Sequence, residues 1–239
     1  MLHVHKVSRR EFLTASSLAA AGLALTSCAP TATQQATPIA EPAVASADEA
    51  LQHLMEGNQR YVANKTVDPN QSESRRIEVA QGQHPFATIL GCVDSRVPPE
   101  IIFDRGLGDL FVIRTAGQVL DNAVVGSIEF GVAELGIPLI MVLGHEKCGA
   151  VNATIEALEN HTEAEGSISA LVEGIRPAVE KAKGQPGDLL DNAVRANVEA
   201  TVSRLKESFI MAQALTEGKI KIVGGRYDLD TGSVEITVS

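Results

Sequence analysis

Two short stretches carry side chains able to do chemistry together: Cys92-Val93-Asp94-Ser95-Arg96 and His145-Glu146-Lys147-Cys148. Two thiols and one imidazole are the donor set of a catalytic zinc site, three protein ligands with a fourth position left open. Such donors select zinc over magnesium or calcium, which prefer oxygen. His145 and Cys148 stand three residues apart, so both can reach one ion across the turn that opens a helix. A thiolate at a helix N-terminus is favoured by the macrodipole and by free backbone N–H groups, which suits Cys148 to ligation. Asp94 and Arg96, beside the first thiol, form a pair in which the guanidinium can hold the carboxylate bidentately and ionised. Taken singly, a cysteine at a strand end is ordinarily a small core hydrophobe, and an Asp-x-Arg pair an ordinary surface ion pair. It is the coincidence of both motifs that points to a site. A disulfide between Cys92 and Cys148, structural or redox-active, is the competing reading of the thiols.

The elements that must position these residues follow from hydropathy. Each motif trails an apolar run that reads as a buried parallel strand, Phe86–Gly91 for the first and Pro138–Gly144 for the second. Between them the pattern predicts a strand over Leu110–Arg114 and a helix over Asn122–Leu135, with Gly126 and Gly131 permitting close approach. A helix is expected over Ser46–Ala63, where Ser46 and Glu49 have the spacing of a capping box. Pro98-Pro99 reads as an irregular turn, and Cys148–Leu158 as a helix. Helical patterns run through Ile168–Lys183 and Leu189–Thr216. A strand follows at Lys219–Gly224, and Asp230-Thr231-Gly232 turns into a last one at Ser233–Val238. The alternation predicts an α/β fold: a mostly parallel central sheet of about four strands plus an antiparallel edge strand, with helices on both faces. In open sheets of this kind ligands bind beyond the carboxyl ends of the strands, where Cys92 and His145 are expected.

The N-terminus reads as an address rather than as fold. Ser8-Arg9-Arg10-Glu11-Phe12-Leu13 is a twin-arginine export pattern, and the apolar run Leu18–Leu25 is too short to span a bilayer comfortably. Leu25-Thr26-Ser27-Cys28 resembles a bacterial lipoprotein box, which places a lipid on Cys28 after cleavage before it. We therefore expect a signal peptide at 1–27, a lipidated and flexible tether at 28–45, and the folded domain at 46–239. The expected location is the periplasm, or the thylakoid lumen in a cyanobacterial cell, with the lipid as the sole membrane attachment. Loss of residues 1–27 removes three basic residues and one acid, taking the formal charge from −10 to −12. So acidic a domain is a poor partner for nucleic acid or anionic lipid.

The motifs resemble a known family. Cys-x-Asp-Ser-Arg-Val-Pro-Pro-Glu followed by Gly-His-x-x-Cys-Gly-Ala is similar to the β class of carbonic anhydrases, and the likeness extends from about Ser46 to Val238. The segments Phe103–Phe111 and Arg114–Gly117 also resemble that family. The resemblance implies Cys92, His145 and Cys148 as ligands of one zinc per subunit, with Asp94 and Arg96 as the catalytic dyad. It implies zinc-dependent reversible hydration of carbon dioxide to bicarbonate and a proton by a metal-bound hydroxide. It further implies a homodimer or higher homo-oligomer in which the N-terminal helix is exchanged across the interface.

Gly117 and Gly149 are weaker candidates for substrate contact. Many bacterial members carry Gln at the position of Arg105, which puts a substrate-facing amide there in doubt. The chain has no Trp, so the Trp-containing bicarbonate site of some regulated members cannot exist in its usual form. No role falls to His3, His5, His53, His84 or His161. Two alternatives stand beside the main expectation: a CS2 or COS hydrolase on the same scaffold, and a non-catalytic zinc-binding lipoprotein.

Overall fold

The computed structural model describes Val44 and residues 46–239. The signal segment, Cys28 and the tether apart from Val44 lie outside the described residues. Helix α1 (Ala47–Val62) starts where Ser46 caps it, its Oγ accepting the Glu49 N–H at 3.2 Å. Ala50 and Leu54 on its inner face are fully buried against Ile102, Phe103 and Leu139 of the same chain. Gly57 makes this seat possible, since a Cβ there would stand 1.8 Å from the Phe103 carbonyl oxygen. Asn58, also buried, donates to the carbonyls of Ile102 and Gly232 and accepts the Val234 N–H. One side chain thus ties α1 to two segments far apart in the chain. Helix α2 (Glu73–Val79) was not expected; it buries no residue, so it carries no apolar stripe to betray it.

Five strands form one sheet: β1 (Ala87–Cys92), β2 (Leu110–Thr115), β3 (Leu139–His145), β4 (Lys221–Tyr227) and β5 (Val234–Val238), in the order β2-β1-β3-β4-β5. The first four run parallel and β5 is antiparallel to β4, as the strand–helix alternation predicted. Both faces are covered. Ile89, Met141 and Val223 point into one core cluster, while Leu90, Ile140, Val142 and Ile222 point into the other. This is why β1 and β3 read as continuous apolar runs rather than as alternating ones.

Between the strands lie α3 (Pro99–Ile102), α4 (Asn122–Ala133), α5 (Gly149–Asn160), α6 (Ile168–Ala182), α7 (Leu189–Lys206) and α8 (Phe209–Thr216). The expected irregular turn at Pro98-Pro99 is the single helical turn α3, with Pro99 in its first turn, where a missing N–H costs nothing. The one helix expected over 189–216 is two. Ser208 takes an extended conformation, and its hydroxyl donates to Glu129 Oε1 on α4 at 2.5 Å, which breaks the run. Of the two glycines expected to allow close approach in α4, Gly131 does so: a Cβ there would lie 3.1 Å from Ile137 Cδ1. Gly126 has open space instead. Among the described residues no helix is long and apolar enough to cross a membrane.

Candidate metal centre

Cys92 ends β1 and His145 ends β3, and these strands are hydrogen-bonded neighbours, so their carboxyl ends lie side by side. After His145 the chain makes a sharp return. Glu146 N–H still bonds to the Tyr227 carbonyl, and Lys147 takes the left-handed φ of +53° that swings Cys148 back to cap α5. The two sulfurs and the imidazole offer ligand atoms that all lie within 4.8 Å of one another. Their residues are 4%, 1% and 1% exposed.

Whether an ion fits can be judged from His145. Its Nδ1 lies 2.9 Å from the Glu146 carbonyl oxygen, which can only accept, so Nδ1 carries the proton. Nε2 is therefore a bare lone pair. It is buried and has no hydrogen-bond partner, a state that costs about 1–3 kcal/mol if nothing relieves it. A divalent cation between Nε2 and the two sulfurs relieves it, and the second bond at Nδ1 is the usual means of fixing a ligating imidazole.

The thiols agree. The Cys148 thiol, and after it the N–H groups of Asp94 and Gly117, hold the Cys92 thiol well below its ordinary value, against burial, which raises it. Cys148 is pushed up by the Cys92 thiolate it bonds, and further by burial. The pair shares one proton that a bound cation would displace. Both cysteines are free thiols.

Asp94 and Arg96 stand at the mouth of this cup. Arg96 Nε and Nη2 reach Asp94 Oδ1 and Oδ2 at 3.0 and 2.7 Å, and the Arg96 N–H adds a bond to Oδ1 at 2.9 Å. The Arg96 bond holds the Asp94 carboxyl down at about 2 although burial opposes it. Asp94 Oδ2 lies 3.9 Å from His145 Nε2. The carboxylate is thus ionised, aimed at the donor cluster and paired with the arginine.

Arg114, to which the motifs assign no role, braces the first of them. From β2 its Nε donates to the Cys92 carbonyl at 2.7 Å and its Nη2 to the Asp94 carbonyl at 2.6 Å. The signal was an arginine inside an otherwise apolar strand. Gly117 N–H donates to Cys92 Sγ at 3.4 Å, while Gly149, the first residue of α5, has open space around it. Arg105 does not face the site. It is 2% exposed, donates through Nη2 to the His53 carbonyl, and lies 5.2 Å over the Phe86 ring.

Fold and donors together define a thiolate–imidazole centre for one metal ion at the carboxyl edge of a parallel sheet. The family model described as carbonic anhydrase matches residues 87–234. A carbonic anhydrase of Mycolicibacterium smegmatis is 44% identical over 188 residues, covering 78% of this chain and 91% of its own. Carbonic anhydrase 2 of Mycobacterium tuberculosis is 45% identical over 184 residues, covering 77% and 89%. Among solved structures, a Coccomyxa β-carbonic anhydrase in complex with acetazolamide superposes with a TM-score of 0.62 at 28% identity, covering 78% of this chain and 85% of its own. The chain belongs to the β class of the carbonic anhydrase family, zinc-using lyases that hydrate carbon dioxide.

Proposed function

We propose that this protein interconverts carbon dioxide with bicarbonate and a proton at a zinc ion held by Cys92, His145 and Cys148, and that it does so outside the cytoplasm. One observation carries the catalytic reading: the unpartnered Nε2 of His145 is buried between two thiols, with the ionised Asp94 directed at the same point. Bound there, zinc supplies the Lewis acidity that makes water nucleophilic near neutral pH.

The rest falls to the chain's own residues. Asp94 offers Oδ2 as a hydrogen-bond acceptor at the reacting centre, and as an acceptor only, because Arg96 keeps it ionised. This orients the attacking water's oxygen towards an uncharged carbon. Arg114 holds the backbone on both sides of Val93 and so fixes the distance from Cys92 to Asp94. Gly117 and Gly149 border the cup and remain our candidates for backbone contact with substrate.

Stopped-flow carbon dioxide hydration by zinc-loaded protein, set against Cys148→Ser, tests the reading. Activity lost in the variant together with its zinc supports it. Zinc-loaded wild type that hydrates no carbon dioxide but hydrolyses CS2 or COS would move the substrate to that alternative.

We further read the assembly as a homodimer or larger, with α1 lying over the partner. The outer edge of β2 has no neighbouring strand among the described residues, and Val93 and Ile101 nearby in the chain are 54% and 58% exposed. A likeness to a tetrameric β-carbonic anhydrase of Sordaria macrospora, at 21% identity and a TM-score of 0.62, shows the shared fold. Sedimentation of a fully active monomer would contradict the dimer. The twin-arginine pattern and Cys28 support export and a lipid anchor. Membrane fractions from cells expressing wild type and Cys28→Ala, probed for radiolabelled palmitate, test that anchor, since label on the alanine variant would refute it.

A further inference from the structure

We propose that Asn197 is a positioning residue for this metal centre: acting through the backbone of Gly117, it aims a hydrogen bond at the Cys92 sulfur. Asn197 lies on α7, is 3% exposed, and its Nδ2 donates to the Gly117 carbonyl at 2.8 Å. The N–H of the same Gly117 points at Cys92 Sγ at 3.4 Å. Asn197 touches neither the donors nor any substrate; its effect travels through one residue.

That residue needs holding. Gly117 has φ of +62°, and Gln118 after it has φ of +46°, so two consecutive residues sit in the left-handed region. For the non-glycine Gln118 this costs on the order of 1 kcal/mol or more. Gln118 is buried, and its Oε1 has no hydrogen-bond partner. A turn with this much against it persists because its surroundings enforce it. Gly117 is wedged where a Cβ would meet Ile175 Cδ1 at 2.7 Å and Ala150 Cβ at 3.2 Å. Asn197 pins its carbonyl from the other side.

The sheet brings Asn197 there. Val198, the next residue of α7, presses into two glycine gaps: a Cβ on Gly144 of β3 or on Gly224 of β4 would come within 2.5 Å of its methyl groups. Those gaps let α7 sink onto the carboxyl half of β3, one residue before His145. The helix that covers the sheet therefore also delivers the amide that shapes the turn over Cys92.

An N–H bond to a thiolate withdraws charge from sulfur and fixes the direction of its lone pairs. Without it the sulfur is less well placed for the ion and donates more charge to any ion it does bind. The inference rests on the metal reading above, and the test separates the two.

Cobalt(II) is loaded into wild type, Asn197→Leu, Asn197→Ala and the packing control Thr201→Val, one turn along the same buried face. The thiolate-to-cobalt charge-transfer band in the near ultraviolet reports the sulfur directly, and zinc release to a chelator reports its hold. We expect the band of Asn197→Leu to move to longer wavelength and zinc release to accelerate about tenfold or more, with Thr201→Val unchanged in both. Asn197→Ala, which removes the amide donor without adding bulk, is read in the same way should the leucine variant not fold. A wild-type band and wild-type release in a folded Asn197 variant would overturn the proposal. Wild type that binds no cobalt would overturn the metal reading instead.

Discussion

Arg96 grips Asp94 through both carboxylate oxygens, Nε to Oδ1 at 3.0 Å and Nη2 to Oδ2 at 2.7 Å. The second of these oxygens is also the one 3.9 Å from His145 Nε2. The arginine therefore both charges and aims the group that faces the reacting centre. Arg96→Ala and Asp94→Asn should each lower kcat/KM by about 10²-fold or more, the usual scale for a displaced acid–base group. Neither side chain supplies a ligand atom to the Cys92–His145–Cys148 cluster, so zinc content should stay near one per chain. Stopped-flow kinetics alongside metal analysis checks this, and wild-type turnover in either variant would refute the dyad.

Metal removal should be reversible in one direction only. The cluster is buried and its sulfurs are neighbours, so a stripped protein holds two free thiols within reach of each other. Activity lost on prolonged chelation should return with zinc if thiols are kept reduced. It should fail to return after mild oxidation, and free-thiol counts before and after give the reason. Recovery after oxidation without a reductant would contradict the assignment of Cys92 and Cys148.

Acid should weaken the anchoring of α1 through Asp104. Burial raises this carboxyl, but it is outweighed by Arg60, whose Nε donates to Oδ2 at 2.6 Å, and by the N–H groups of Val67 and Asp68. The net shift is downward. A carboxyl with a lower pKa folded than unfolded contributes stability that is complete above the ordinary carboxylate value, about 3.9, and is lost as pH falls towards the folded value. Asp104→Asn should cost about 2 kcal/mol at pH 7, the scale of hydrogen bonds to a charged group. Urea titrations should show that gap constant from pH 7 to 5 and shrinking below pH 4. A gap undiminished at pH 3 would be the wrong sign.

Gly57→Ala should be among the costliest single methyl additions in the domain. Its Cβ would lie 1.8 Å from the Phe103 carbonyl oxygen, and backbone cannot swing aside as a side chain can. Overpacking of this kind costs about 1–3 kcal/mol, and more where nothing yields. Gly126→Ala, with open space around it on α4, serves as the control and should be neutral or mildly stabilising. Equal denaturant midpoints for the two would show that α1 does not pack against the Phe103 carbonyl.

Much of the fold was legible along the chain. The strands were found to within a few residues because parallel strands buried on both faces leave unbroken apolar runs, as in Leu139–His145. The cap at Ser46 was legible because capping is a local hydrogen bond. What failed to show had no local signal. Helix α2 buries nothing, and the break at Ser208 depends on Glu129, 79 residues away.

The site divides in the same way. Residue type and spacing alone singled out Cys92, His145 and Cys148 as candidate donors and Asp94–Arg96 as a pair, because ligand chemistry and a two-residue ion pair are properties of short segments. Tertiary structure decided that the donors meet, by making β1 and β3 neighbours, and which imidazole nitrogen is left bare. It also decided the support behind them. Arg114 reaches Cys92 across 22 residues, Gly117 reaches its sulfur across 25, and Asn197 reaches Gly117 across 80. Such contacts exist only once helix and sheet have packed, since no local pattern encodes a distance between residues that far apart.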